Sequence, residues 1–284
     1  MTQRKPFDLS GDVPKIRARL REDETADYLT RLLWGALDYP AYGYGLHHAA
    51  ILAGRLGLPA VSAIEFGVAG GNGLLALEAH AARIEAYTGV RIEVYGFDTG
   101  CGMPPPRDHR DMPYRFREGN YRMDAAALRA RLTRAELVLG DVAETAAGFA
   151  EARHPAPIGF LAFDLDYHSS TMAAFGLFEA GHATFLPRCQ IYFDNIIGHE
   201  ISSYNRFVGE LAAIGDFNAA HADMKIAPGM ALHRFAINLP WYRQIYLLHR
   251  FTHPLYASYI SGAGPESLAL EGGADPGEGQ PDTG

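Results

Sequence analysis

An α/β fold is what this sequence predicts, a mainly parallel sheet with helices on both faces and an antiparallel strand at its edge. Three observations carry the prediction. From residue 61 onward, apolar runs of strand length alternate with stretches of helical periodicity, the pattern of successive βαβ units. Val61 to Gly73, VSAIEFGVAGGNG, is an apolar run that breaks into four glycines within seven residues, as a buried strand does when it ends in a tight loop before a helix. Acidic residues then recur at the ends of the later strands.

Composition bounds the function. With 284 residues, 48% of them hydrophobic and 20% charged, the chain is long enough for one large domain or two small ones. A net charge of -8 without any Lys/Arg-rich block excludes an extended nucleic-acid footprint, so small molecules are the expected partners. Cys101 and Cys189 cannot build a disulfide framework and lack metal-binding spacing. The start, MTQRKPFDLSGD, has no apolar core, and no run reaches the length of a membrane span. A cytoplasmic protein without membrane contact is expected.

The elements follow in order. Residues 1 to 12 are polar and expected to be loose, and Val13 to Leu37 has helical spacing, with Pro14 tolerable in a first turn. YPAYGYG reads as a break before a short helix from His47 to Leu56. Residues 1–60 thus form a helical N-terminal extension, which can pack on its own domain or on a second subunit; a homo-oligomer is left open. Strands are expected at 61–66, 91–97, 135–140, 158–163 and 189–194, within a domain spanning 61–261. Asp124 is placed to cap AAALRARL, and Ser169 or Ser170 to cap TMAAFGLFEAGHA. A helix near 201–214 precedes two β-rich segments, MKIAPGMALHRFAI and RQIYLLHRF, which can pair antiparallel about a turn at Pro228-Gly229. Residues 101–123, proline-broken, charged and aromatic, read as a lid loop. The Gly-, Pro- and acid-rich stretch 262–284 reads as a disordered tail.

Ligands of open α/β sheets bind beyond the carboxyl ends of the strands. Glu65, Asp98, Asp141, Asp164 with Asp166, and Asp194-Asn195 all fall there. Asp98 follows the second strand, where a carboxylate can accept both hydroxyls of a ribose. Gly71-Asn72-Gly73-Leu74-Leu75-Ala76 also fits the G-x-G-x-x-A pattern of dinucleotide sites, which keeps an NAD(P)-dependent oxidoreductase as an alternative. No Tyr-x-x-x-Lys pair supports it in the sheet region. A non-catalytic nucleotide-binding protein is the third reading.

Five segments together are more specific. Glu65-Phe66-Gly67-Val68-Ala69-Gly70-Gly71-Asn72, Asp98-Thr99-Gly100-Cys101-Gly102-Met103-Pro104, Gly140-Asp141-Val142-Ala143-Glu144-Thr145, Asp164-Leu165-Asp166-Tyr167-His168-Ser169-Ser170-Thr171 and Asp194-Asn195 follow one another in the order found in class I S-adenosylmethionine-dependent methyltransferases. Residues 61 to about 197 resemble the macrocin O-methyltransferase-like group of that family, with Asn72 where Ser is usual and Asn195 where the group has a second Asp. The resemblance implies a Rossmann-like fold and S-adenosylmethionine as cofactor. Gly67 and Gly71 would face its methionine part, Asp98 its ribose, and Asp141 with Val142 its adenine. Glu65 would give polar support to the loop, with Asn72, Thr99 and Asp164 completing the cofactor set.

Asp164, Asp194 and Asn195 offer two carboxylates and an amide, a donor set suited to Mg²⁺ and similar to that of catechol O-methyltransferase. Spacing leaves Asp166 as an alternative to Asp164. A metal there would bind the acceptor hydroxyl as a Lewis acid. Tyr167 stands where catechol-type enzymes carry a lysine, so the base is sought elsewhere. His168 is the first candidate and His109 the second, with His199 behind them. The implied activity is O-methylation of a small hydroxylated acceptor, a sugar or natural-product intermediate.

Overall fold

The structure is a computed structural model, and it describes residues 12–235 and 237–261. The expected loose N-terminus, up to residue 11, and the expected disordered tail lie outside these residues. In chain order the elements are α1 (Val13–Glu22), α2 (Tyr28–Leu33), α3 (Pro40–Arg55), β1 (Ala60–Phe66), α4 (Asn72–Thr88), β2 (Arg91–Asp98), α5 (Ala125–Arg131), β3 (Glu136–Leu139), α6 (Val142–Thr145) and α7 (Phe149–Arg153). They continue with β4 (Ile158–Phe163), α8 (His168–Phe175), β5 (Phe185–Phe193), α9 (Gly209–Ala220), β6 (Met224–Pro228) and β7 (Ile245–Arg250).

One seven-stranded sheet runs in the order β3-β2-β1-β4-β5-β7-β6. The first five strands are parallel, and β7 lies antiparallel to both β5 and β6. The expected antiparallel edge is therefore present. It also departs from a dinucleotide sheet, in which a sixth strand continues the parallel series. Helices α3 and α4 cover one face, while α6, α8 and α9 pack together over the other.

The parallel strands end in register, and that places the site. Phe66 is level with Phe97, Phe163 with both Phe66 and Phe193. Their rings form a ladder with centroids 4.9 Å (66–97), 5.1 Å (66–163) and 5.0 Å (163–193) apart. All four are buried. The residue after each ring, Gly67, Asp98, Asp164 or Asp194, thus emerges at one level. Backbone bonds extend the ladder by one step: Asp164 N–H donates to Phe66 O, and Asp194 N–H to Phe163 O, each at 2.9 Å.

Several local expectations change. The predicted helix 13–37 is two helices, because Asp23 accepts from Thr25 N and Oγ1 in a turn that ends α1, and Asp27 caps α2 through Thr30 N at 2.8 Å. Helix α3 starts at Pro40 rather than His47. Its glycines are contact points: a Cβ at Gly45 would lie 2.4 Å from the Phe160 ring, so YPAYGYG brings the helix close to the sheet rather than breaking it. Strand β5 begins at Phe185, earlier than expected, with Pro187 inside a register shift against β4 where no ladder bond is lost. Asp124 does cap α5, accepting from Ala127 N at 3.0 Å. Ser169 and Ser170 do not cap α8, which starts at His168; the Ser169 hydroxyl donates to Asp111 instead. Helix α9 begins at Gly209, and a 3₁₀ segment Met230–Arg234 follows Pro228-Gly229, so β6 and β7 are not joined by a tight turn.

The 101–123 loop is fastened rather than loose. Buried Asp111 accepts from Arg107 N, Ser169 N and Ser169 Oγ at 2.7–2.8 Å. Met112 and Phe116 pack with Tyr167 in a small apolar cluster separate from the main core. No helix among the described residues is long and apolar enough to cross a membrane.

Candidate active site

A cavity of about 440 Å³ opens at the carboxyl edge of the sheet, at the crossover between β1 and β4. Its wall brings together Gly67, Asp98, Thr99, Asp141, Val142, Asp164, Asp194 and Asn195. Glu65, Gly71, Asn72, His168 and His109 are not on that wall.

The glycine loop is built around backbone constraints. Gly67 (φ 87°), Ala69 (φ 43°) and Gly71 (φ 84°) alternate in the left-handed region, which costs an alanine more than a glycine. The Ala69 N–H donates to Asp98 Oδ2 at 2.8 Å, and Gly100 N–H to Asp98 Oδ1 at 2.7 Å. Both carboxylate oxygens are thereby aimed and keep lone pairs for further donors. At Gly67 the chain passes so close to β4 that a Cβ would lie 1.9 Å from the Asp164 carbonyl oxygen. Gly71 has another function: a Cβ there would meet Leu128 at 2.3 Å, so it admits α5 rather than facing the cleft. Asn72 opens α4 behind it. Gly71 and Gly73, the two glycines of the G-x-G-x-x-A match, both turn toward protein side chains.

Glu65 lies beneath the loop. It is buried, and its Oε1 accepts from the Tyr42 hydroxyl at 2.8 Å, while Oε2 has no partner among the described residues. Burial pushes its carboxyl up to about 8, partly offset by the Tyr42 bond and reinforced by Asp98. Against an unfolded value of 4.5 the folded state therefore holds the extra proton, and stability falls as pH rises from about 4.5 to about 8. Glu65→Gln cannot ionise, so its melting temperature is expected to lose this decline between pH 5 and 8. Parallel melting curves for the two proteins over that range would refute the assignment.

On the other side of the cleft stands an acid cluster. Asp164 is exposed to the open cavity, and its carboxyl is raised by the protein around the cleft, which limits its solvation, and by Asp194, Asp166 and Glu65. Asp166 (φ 57°) is raised to about 7 by burial and Asp194. Its Oδ1 accepts from Asn195 Nδ2 at 2.6 Å and from the Tyr204 hydroxyl at 3.4 Å. Asp194 Oδ1 accepts from the Tyr192 hydroxyl at 2.5 Å. Asp164 accepts no side-chain hydrogen bond from a described residue, whereas Asp166 Oδ1 accepts two. Asp141 faces the opposite end of the cavity and caps α6 through Ala143 N at 2.9 Å. Thr99 donates its hydroxyl to Gly102 O at 2.7 Å, closing the turn after β2.

Sequence reasoning missed Glu210. Fully buried on α9, it accepts from Leu165 N at 3.2 Å and Asn195 N at 2.9 Å, joining the two acidic loops. Burial and Asp164 raise its carboxyl well above the usual range. No spacing could have revealed it, since it bridges segments 15 and 45 residues away.

The histidines expected to act as base stand elsewhere. His168 Nε2 lies 2.9 Å from Asp216 Oδ2 and 3.3 Å from Arg110 Nη1, in a charged network joining α8, α9 and the lid loop. The first turn of α8 rotates it away from the cleft. His109 is exposed on the outside of the loop. His199 is on the wall, but its Nδ1 accepts from Ile201 N at 3.3 Å, which leaves the neutral ring's proton on Nε2.

Among the described residues no group of three or more His, Cys, Asp or Glu is arranged to hold a metal ion. The donor chemistry nonetheless suits a hard cation: Asp194 helps raise the carboxyls of Asp164 and Asp166, and among the described residues none of the three forms an ion pair with a basic side chain.

No protein-family profile matches the sequence, and no curated protein matches it. Solved structures do. CalS11, a calicheamicin methyltransferase, is similar at a TM-score of 0.51 with 21% identity, over 87% of this chain and 94% of that one. An O-methyltransferase from Bacillus cereus, solved in complex with SAH, aligns at a TM-score of 0.39 with 14% identity, covering 87% and 92%. MycE of the mycinamycin biosynthetic pathway, solved with Mg, SAH and mycinamycin VI, aligns at 0.37 with 16% identity, over 87% of this chain and 54% of that one. The sheet order and the likeness to CalS11 show a Rossmann-like fold of the kind that methyltransferase has.

Proposed function

We propose that the protein is an S-adenosylmethionine-dependent O-methyltransferase for a hydroxyl of a small molecule, assisted by Mg²⁺. The observation that carries this reading is the Asp98 carboxylate, fixed by two backbone N–H groups on the cleft wall opposite the acid cluster. It supports a reading in which one side of the cavity takes the ribose and the acid cluster faces the reacting groups. Bound there, the cofactor would supply a sulfonium methyl carbon open to in-line attack by an oxygen nucleophile, with the thioether as the leaving group that keeps the carbon–sulfur electron pair.

The chain's own residues bind and orient. Asp98 accepts the ribose diol, and Asp141 and Val142 offer an acceptor and an apolar wall to the adenine. Gly67 lets the backbone approach the methionine portion. Asp164 and Asp194 would hold the divalent cation, with Asn195 beside them. Its Oδ1 already accepts from Asp166 N at 3.2 Å and keeps one lone pair. The cation would supply the Lewis acidity that favours the deprotonated acceptor hydroxyl. Glu210 keeps the two loops at one spacing, and position dominates the rate of an in-line displacement.

Asp194→Ala tests the metal. Methyl transfer from radiolabelled cofactor to a panel of catechols and sugars is expected to fall by about 100-fold with Mg²⁺ present, the scale of a lost Lewis acid. Binding of S-adenosylhomocysteine should be little changed. Full turnover by this variant in the presence of chelator would defeat the metal reading.

A further inference from the structure

We infer that Arg115 anchors an anionic oxygen group, carboxylate or phosphoryl, on the acceptor; the inference rests on the cleft being a methyl-transfer site. With the Gly67, Asp98 and Asp141 side given to the cofactor, the rest of the wall comes mainly from two loops, 103–121 and 197–204. Their cleft surface is aromatic, with Phe116, Tyr121 and Tyr204, and Arg115 is the one guanidinium on it among the described residues. The side chain is held in place. Its Nε donates to Ser202 Oγ at 3.3 Å, and the preceding Tyr114 donates its hydroxyl to Ser202 O at 3.1 Å. Consecutive residues of one loop are thus clasped to a single buried serine of the other. The guanidinium rests 5.0 Å from the Phe116 ring centre.

That arrangement engages Nε and leaves both Nη groups without a hydrogen-bond or carboxylate partner among the described residues. An oriented guanidinium fork on a cleft wall matches the geometry of a carboxylate or phosphoryl group. The nearby acid, Asp166, has its Oδ1 committed to Asn195 and Tyr204 and forms no ion pair with Arg115. Arg115 is also the positive charge that Asp166 feels, so an anion is drawn to the guanidinium and away from Asp164 and Asp194. The acceptor is therefore a molecule that sets its anion against Arg115 and its reacting hydroxyl toward Asp164 and Asp194, with a flat or apolar body along the aromatic wall. Tyr121, 53% exposed, is available to lie against that body.

The test is titration of protein loaded with S-adenosylhomocysteine, using phenyl phosphate, benzoate and uncharged phenol, for wild type, Arg115→Gln and Arg115→Lys. Wild type is expected to bind phenyl phosphate or benzoate about 10-fold more tightly than phenol, the range of one charge-assisted hydrogen bond, and the stronger anion names the group. Arg115→Gln should lose that preference and Arg115→Lys retain part of it, with affinity for S-adenosylhomocysteine and melting temperature unchanged. Equal binding of phenol and both anions, no binding of either anion, or a preference that survives Arg115→Gln overturns the inference. Failure of wild type to bind S-adenosylhomocysteine would instead overturn the methyl-transfer reading, and the anion preference is then read on the unloaded protein.

Discussion

Asp98→Ala is expected to weaken binding of S-adenosylhomocysteine by about 100- to 10,000-fold, because two hydroxyl donors to a carboxylate contribute on the order of 1.5–3 kcal/mol each. The loss has a second source. Removing the carboxylate frees the Ala69 and Gly100 N–H groups, and Ala69 holds a left-handed conformation that relaxes without its tether. The loop that should meet the methionine portion then moves as well. Asp98→Asn separates the two contributions: one amide oxygen still accepts an N–H, while the amide nitrogen faces the other donor. Its affinity should fall between the two. Calorimetry, with circular dichroism to confirm folding, reads the series, and affinity in Asp98→Ala within threefold of wild type would remove the ribose assignment.

Gly67→Ala is expected to cost about 3 kcal/mol of stability. The new methyl would lie 1.9 Å from the Asp164 carbonyl oxygen, at a φ of 87° that L-residues avoid. Neither segment can retreat cheaply, since Asp164 N–H is bonded to Phe66 O in the β1–β4 ladder. For a chain of this size the melting temperature should drop by about 5 °C, and under the proposed function any folded fraction should transfer methyl groups poorly because Asp164 is displaced. Gly71→Ala is the internal comparison. Its obstacle is the end of the Leu128 side chain, which can turn aside, so its loss should be smaller. Equal melting temperatures for Gly67→Ala and wild type would show that the close approach does not exist.

How far the sequence could be read follows from the range of each interaction. Asp98, Asp141, Asp164 and Asp194 were legible because a parallel strand's last apolar residue announces the residue after it, and the strands end in register. Glu65 was legible as a strand-end acid, yet its burial under the loop depends on Tyr42 of α3, an element whose glycines looked like a break. His168 was the first candidate for the base; the start of α8 turns it to Asp216, 48 residues later. Glu210 and Ser202 act through backbone groups or across loops, and neither leaves a local pattern. The 101–123 segment reads as a lid from composition, but its fastening by Asp111 to Ser169 spans 58 residues and has no sequence signature.

The two apolar clusters divide the labour of the molecule. Cofactor-side residues stand on the phenylalanine ladder of the main core, whereas Met112, Phe116 and Tyr167, with Tyr204 and Val208 against them, support the loops around Arg115. Substitution in the second cluster alters what those loops present without disturbing the strand register that aims Asp98 and Gly67. If the proposed activity holds, changes in these loops would alter which acceptor is taken while the strand-end residues assigned to the cofactor keep their positions.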